Sequence, residues 1–298
     1  YNGIFNPAVC SILYATLLIF MVGLLDDIHE VSAKLKLMAQ VTAVIVVVQQ
    51  GVVLRVVPLQ LGMTAQVANL ALTFLWIIGI TNAMNFFDGM NGLAAGLGAM
   101  IAFFLGLVAF QTDQAFIGWI SIAIMGSCLG FLPYNLRGKG KASVFLGDAG
   151  STVIGFVLAC IAVYSDWSSH DPLVSLASPL LIFWVIIFDM IHITIDRVLT
   201  GKVASIKQWL EYVGHDHLHH RLAQVVGSHR KSVLFIFLLN GSLGISAVIL
   251  RHLDSLEAAL LMLQAVLLVL FITVLERHSR FPATQQNPDD GPRPDADD

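Results

Sequence analysis

Charge is what this chain lacks. Asp, Glu, Lys and Arg make up 12% of its 298 residues, against about 25% in an ordinary soluble domain. A water-soluble globular protein is excluded on that count. Cysteine is scarce too. Cys10, Cys128 and Cys160 sit singly in apolar runs, without Cys-x-x-Cys or metal-type spacing, and read as small buried hydrophobes. Neither an initiator Met nor a signal-peptide pattern opens the chain, which starts YNGIFNP as a fragment would. The net charge of -4 says little; where the few charges stand says more.

Apolar sequence fills the rest. The chain is 57% hydrophobic with a mean hydropathy of +0.80, which predicts an all-α polytopic membrane protein. About nine spanning helices are expected, over 8–25, 35–54, 66–84, 93–110, 115–133, 149–165, 172–197, 232–250 and 256–275. The β-branched stretch 52–62 with Pro58 is expected outside the bilayer as an extended loop or small hairpin. Residues 1–280 read as one transmembrane catalytic domain, with 198–231 its large His-rich loop. The Pro- and Asp-rich tail 281–298 has no apolar pattern and is expected to be disordered.

Lys and Arg orient the spans. If the pair Asp26-Asp27 is cytoplasmic, so are Lys34, Lys36, Arg137, Lys139, Lys141, the basic residues of 197–231 and those of the C-terminal segment. Arg55 and Arg251 alone of the 16 Lys and Arg then face the other side. The same assignment brings Asp88, Asp148 and the His-rich loop to the cytoplasmic face.

Polar residues at the ends of the spans carry the chemistry. Asp26-Asp27 closes the uncharged run Ala8–Leu25. Two carboxylates about 4 Å apart repel by roughly 4 kcal/mol at an effective dielectric near 20, so cations or hydrogen bonds must answer them, and acids at membrane depth mark function. In GITNAMNFFDGMNGLAAG (79–96), Asn82, Asn85, Asp88 and Asn91 recur every third residue as one polar stripe. In SVFLGDAGS (143–151), Asp148 stands between glycines before a span. It could cap that helix, and amides near Gly150 and Ser151 could meet a phosphate. Asn135 and RGKGK (137–141) lie just upstream.

GHDHLHHRL (214–222) gathers His215, His217, His219 and His220 around Arg221. His-x-His suits zinc, but the missing cysteine and the central Arg221 favour an anionic sugar phosphate. Before it, SIKQWLEYVG (205–214) reads as a short interfacial amphipathic helix. Asp189, His192 and Asp196-Arg197 interrupt the seventh span, as an ion pair or as catalytic groups, beyond an expected break near Pro179.

With these segments the chain resembles the polyprenyl-phosphate N-acetylhexosamine-1-phosphate transferases. LLDDIHEVSAKLKLMAQ, NAMNFFDGMNGLAAG, VFLGDAGS and HLHHRL match that family's four marks in order, over about 8–275. Two N-terminal helices of the family, and the loop joining them, have no counterpart, so the chain reads as nine of about eleven helices. Asn91 stands where a second acid is often found. HLHHRL resembles the form in enzymes using simple UDP-N-acetylhexosamines rather than the triple-His form of the phospho-N-acetylmuramoyl-pentapeptide transferases.

The resemblance implies transfer of a hexosamine 1-phosphate, GlcNAc-1-phosphate first among them, from a UDP-sugar to undecaprenyl phosphate with release of UMP. It implies Mg²⁺, with Mn²⁺ as a substitute, on Asp148 assisted by Asn85. Asp26 or Asp27 would deprotonate or orient the lipid phosphate, directly or through a covalent intermediate. Lys34 and Lys36 would neutralise that phosphate. Asn82, Asp88, Asn91, Asn135, His217, His219, His220 and Arg221 would hold the nucleotide and sugar. The expected setting is a bacterial inner membrane, with the site cytoplasmic and lipid as a partner. Nucleic acid is not expected, and homodimerisation is left open. A phospho-N-acetylmuramoyl-pentapeptide transferase and, from another class, a cation-coupled transporter are the rivals. Transporters often pair midplane sites with internal repeats, and no repeat is seen.

Overall fold

A computed structural model of the chain describes residues 6–136, 142–167, 172–205, 208, 214, 216–250 and 253–280. Its helices are α1 (Pro7–Ile28), α2 (Ala33–Gln49), α3 (Met63–Phe86), α4 (Leu93–Gln111), α5 (Ala115–Asn135), α6 (Gly147–Tyr164), α7 (Pro172–Ile182), α8 (Trp184–Leu199), α9 (Leu218–Val226), α10 (His229–Leu250) and α11 (Ser255–Arg280). No strand occurs among the described residues. The basic run 137–141, most of the expected interfacial helix and the tail 281–298 lie outside them.

Helix ends follow the local chemistry. Asn6 accepts from the Ala8 amide and Pro7 opens α1, an N-cap with proline in the first turn. Ser32 caps α2 in the same way. Helix α2 stops at Gln49, short of the expected Leu54, because Gly51 turns the chain with φ +88°. Residues 52–57 then run back extended along α3. Asn69 accepts from the amides of Val56 and Val57 and donates to the Val57 carbonyl, and the Thr73 hydroxyl accepts from Leu54. The expected extended loop is therefore a strap tied to one helix.

Among the described residues, seven helices are long and apolar enough to cross a bilayer: α1, α3 with the turn to Gly89, α4, α5, α6, α10 and α11. The pair α7–α8 makes an eighth, bent by 79° at Phe183. Helix α2, with 17 residues, is not among them, so seven or eight of the nine expected spans are found among the described residues. The bend falls four residues after Pro179, whose carbonyl still accepts from the Phe183 amide.

Helices α4 and α6 form the centre, with 78% and 61% of their apolar windows buried, against 22–39% for the other spans. Large apolar side chains such as Tyr14, Leu17, Leu75, Trp119, Leu238 and Phe271 stay exposed around the outside, as lipid-facing positions require. The C-terminal ends of α1 and α3 and the N-terminal end of α6 meet at one end of the bundle, and the functional candidates gather there.

Candidate active site

Four acids and a lysine converge from three helices and a turn. Lys36 of α2 bridges Asp26 Oδ2 at 2.9 Å and Asp148 Oδ2 at 3.0 Å. Asp26 also accepts from the Val31 amide through Oδ1, at 2.8 Å. Asp148 Oδ1 takes a 2.9 Å hydrogen bond from Asn85, whose amide also donates to Ser151 Oγ. The Asp26 and Asp148 carboxylates come within hydrogen-bonding reach of each other. Two such groups side by side hold full charge only with a cation between them. Lys34, expected to share this task, is exposed on the same helix and belongs to no ion pair among the described residues.

Asp27 faces elsewhere. Its two oxygens accept from the Asp148 amide at 2.8 Å and the Ala149 amide at 3.1 Å, so a carboxylate from α1 caps α6. The amide of the preceding Gly147 lies near Asp88. The Asp148 and Ala149 amides are thus taken by one of the chain's own acids, and the amide of Gly150, near which a phosphate was expected to find donors, donates to the Leu146 carbonyl. Gly147 adopts φ +69°, and a Cβ there would stand 2.6 Å from Asp27 Oδ2. Only glycine meets both demands.

The asparagines divide between site and scaffold. Asn85 reaches Asp148, but Asn82 pairs with Gln40 of α2, at 2.7 and 3.2 Å, and donates to the Ile78 carbonyl. Asn135 is buried, accepts from the Gly92 amide and donates to the Val144 carbonyl at 2.9 Å. It ties the segment before α6 to the turn before α4. Asn91 is exposed on that turn.

The His segment docks on α8. Asp189 is fully buried, with Oδ2 2.9 Å from His217 Nδ1 and Oδ1 accepting from the Leu218 amide at 2.7 Å. Arg197 makes a two-pronged ion pair with Asp216, at 2.9 and 2.7 Å. Arg221 Nη1 lies 3.3 Å from His192 Nδ1, and its Nη2 lies 3.8 Å from Asp189. The polar residues inside the seventh span are therefore the anchors of α9. Burial alone would raise the Asp216 carboxyl, but the hydrogen bonds and charge of Arg197 outweigh it and hold the group below its usual range. The i, i+3 spacing of Asp189 and His192 pointed to this face; Asp216 had no pattern of its own.

His219 is buried with neither ring nitrogen hydrogen-bonded. It packs on Phe87 and His220, and a Cβ on Gly89 would stand 2.9 Å from its Nε2. Burial, then the nearby His220, His217, His229 and Arg221, pushes its imidazole down to about 3. This packing brings the His helix against the turn that carries Asp88. No three His, Cys, Asp or Glu side chains among the described residues form a ready metal-ligand group.

An apolar cavity of about 390 Å³ runs along α3, α7 and α8, from Leu54 and Ala162 toward the other end of the bundle to Ala83 and Met190, with Trp76, Ile80, Leu180 and Ile187 between. Leu75 and Ile191 on its rim are exposed. Ala83 lies two residues before Asn85 and Met190 follows Asp189, so the near end of the cavity is within a helical turn of both polar clusters along the chain.

A helical bundle that encloses an apolar cavity and gathers acids, a lysine and a histidine helix at one end defines a polytopic membrane protein with a polar site at the membrane boundary. The sequence pattern of glycosyl transferase family 4 matches residues 9–166, and the chain belongs to that family. It is 34% identical over 258 residues to the "Probable undecaprenyl-phosphate N-acetylglucosaminyl 1-phosphate transferase" of Bacillus subtilis (strain 168), covering 84% of this chain and 68% of that protein. It is 30% identical to the "Decaprenyl-phosphate N-acetylglucosaminephosphotransferase" of Mycolicibacterium smegmatis, covering 96% of this chain and 74% of that one. A "Phospho-N-acetylmuramoyl-pentapeptide-transferase" of Prochlorococcus marinus subsp. pastoris is 30% identical over 182 residues, covering 55% of this chain and 50% of that relative.

Proposed function

We propose that the chain transfers N-acetylglucosamine 1-phosphate from UDP-GlcNAc to a polyprenyl phosphate, undecaprenyl phosphate first, releasing UMP on the cytoplasmic side of a bacterial inner membrane. The observation that carries this reading is the convergence of Asp26, Lys36, Asp148 and Asn85 at one end of a bundle whose helices α3, α7 and α8 also enclose an apolar cavity reaching Ala83 and Met190. A lipid phosphate needs both features. The chain lies in the cavity, entering from the bilayer past Leu75 and Ile191, and the phosphate reaches the polar end.

Two adjacent carboxylates and an amide oxygen are a donor set for a hard divalent cation, which keeps waters and takes one or two carboxylates. Asp148, with Asn85 and Asp26 beside it, would hold Mg²⁺ or Mn²⁺. When bound, the cation neutralises the diphosphate and the charge that builds during transfer. Lys36 can exchange a carboxylate partner for a phosphate oxygen. One member of the acidic pair orients or deprotonates the acceptor phosphate for in-line attack. Asp88 and Asn91 at the α3–α4 turn, with His220 across from it, would receive the nucleotide and sugar.

The relatives named for pentapeptide transfer match a smaller part of the chain, and HLHHRL favours a simple UDP-sugar. Membranes holding the protein should convert radiolabelled UDP-GlcNAc and undecaprenyl phosphate into labelled lipid and UMP when Mg²⁺ is present, and not after chelation. Product from UDP-N-acetylmuramoyl-pentapeptide alone would move the assignment to the rival transferase. Cation-driven uptake without any lipid product would move it to a transporter.

A further inference from the structure

The two neighbouring acids Asp26 and Asp27 face different partners. Asp26 Oδ2 meets a mobile cation, the Lys36 ammonium, at 2.9 Å. Asp27 meets backbone: the Asp148 and Ala149 amides, at 2.8 and 3.1 Å, take one oxygen each. Two independent features fit α6 to this cap. Gly147 has φ +69° and no room for a Cβ beside the Asp27 carboxylate. Gly23, one turn before Asp27, brings α1 so close to α6 that a Cβ on it would stand 2.6 Å from the Ala149 Cα. The amide of Gly147 itself lies near Asp88. Two successive amides at the start of α6 are thereby fixed by a carboxylate of α1.

We propose that Asp27 is a positioning residue: its carboxylate locks the first turn of α6 so that Asp148 faces Lys36 and Asn85, and it takes no proton from the acceptor phosphate. The proposal rests on the phosphoryl-transfer reading and assigns the acceptor-side role within the pair to Asp26. A carboxylate that left the cap to act as a base would strip two amides at the helix terminus of their acceptor. The residue carrying Asp148 would then move at the moment its position matters. A displacement of about 1 Å costs about 10²-fold in rate.

Asparagine caps a helix about as well as aspartate but cannot act as a base. In the full chain, Asp27→Asn should keep UMP release within about tenfold of the parent, because one acceptor oxygen remains. The acidic limb of its pH–rate profile should stay where it was. Asp27→Ala should lose about 10²-fold and need more Mg²⁺ for half-maximal rate. Amide hydrogen exchange at Asp148 and Ala149 reads the cap without turnover, and Asp27→Ala should speed it. An Asp27→Asn as inactive as Asp27→Ala, with the acidic limb gone, would show Asp27 to be the base and overturn the proposal. Unchanged exchange in Asp27→Ala would overturn it as well, whether or not the parent turns over UDP-GlcNAc. If Asp27→Ala does not fold, the Asp27→Asn rate and pH limb decide alone. An inactive parent with a capped α6 would instead count against the enzymatic reading.

Discussion

The acid cluster and the histidine helix lie at the same end of the bundle but are built on opposite plans. Asp26, Lys36 and Asp148 leave 15%, 33% and 27% of their side chains exposed, and their charges are balanced by one lysine shared between two acids. Asp189, by contrast, is wholly buried, and Arg197, His217, His219 and Arg221 are almost so. A group that must exchange partners with an incoming phosphate has to keep contact with water. A group that must hold a helix in place gains by losing it, because an unanswered charge in low dielectric is costly. Substitutions in the first cluster should therefore cost activity, and substitutions in the second should cost structure.

The largest expected effect is on the exposed side. Asp148→Asn keeps the shape and a hydrogen bond to Asn85 but removes the charge between Lys36 and the expected cation. UMP release should fall about 10³-fold, with the thermal midpoint little changed. A midpoint loss as large as the activity loss would erase the contrast between the clusters. Next comes Asp189→Ala, which leaves His217, the Leu218 amide and Arg221 without their shared acceptor. Breaking a buried charged pair costs about 3–5 kcal/mol. Helix α9 should detach, and trypsin should cut at Arg221 at a rate the parent never shows. Resistance to trypsin in this variant would move Asp189 from anchor to catalytic group.

This division was partly legible in the sequence. Asp26, Asp88, Asp148 and the His segment stand where apolar runs end, and polar groups at such places have few structural uses. The bent seventh span was marked by its Pro179 and its internal acids. Partners contributed by distant helices left no trace in local pattern. Nothing about Asn82 shows that Gln40 will face it, and nothing about Asp27 shows that its oxygens will reach amides of α6. Such pairings depend on how close two backbones come. For Asp27 that distance is set by Gly23 and Gly147, which alone read as ordinary glycines. The shortening of α2 follows from Gly51, a local signal that the continuing β-branched run obscured.

Acid should loosen the buried cluster. The His219 imidazole stands at about 3 in the docked helix, against an ordinary 6.5. Between those values an undocked α9 binds a proton that the docked one refuses, so docking weakens as pH falls through 6.5 and strengthens as it rises. At pH 5 the loss is about 2 kcal/mol, at 1.36 kcal/mol per pH unit. Hydrogen exchange in α9 should rise between pH 7 and 5 in the parent and stay level in His219→Leu. Equal pH dependence in both proteins would place the sensitive group elsewhere.

The smallest effect tests where the site stops. Asn82 shares the three-residue spacing of Asn85 and Asp88, and on that pattern alone it belongs with the nucleotide. Its amide instead exchanges two hydrogen bonds with Gln40, which is 6% exposed, and a third with the helix backbone. Asn82→Ala should then destabilise by about 1 kcal/mol, because the buried Gln40 amide is left unmet. A second change, Gln40→Leu, should recover most of that loss, since removing both partners removes the unmet group. The KM for UDP-GlcNAc should shift by less than about threefold, a change worth under 1 kcal/mol. A tenfold rise in KM at unchanged stability would mean that the α2–α3 pair opens to receive the nucleotide, and the boundary between scaffold and site would have to move inward by one helical turn.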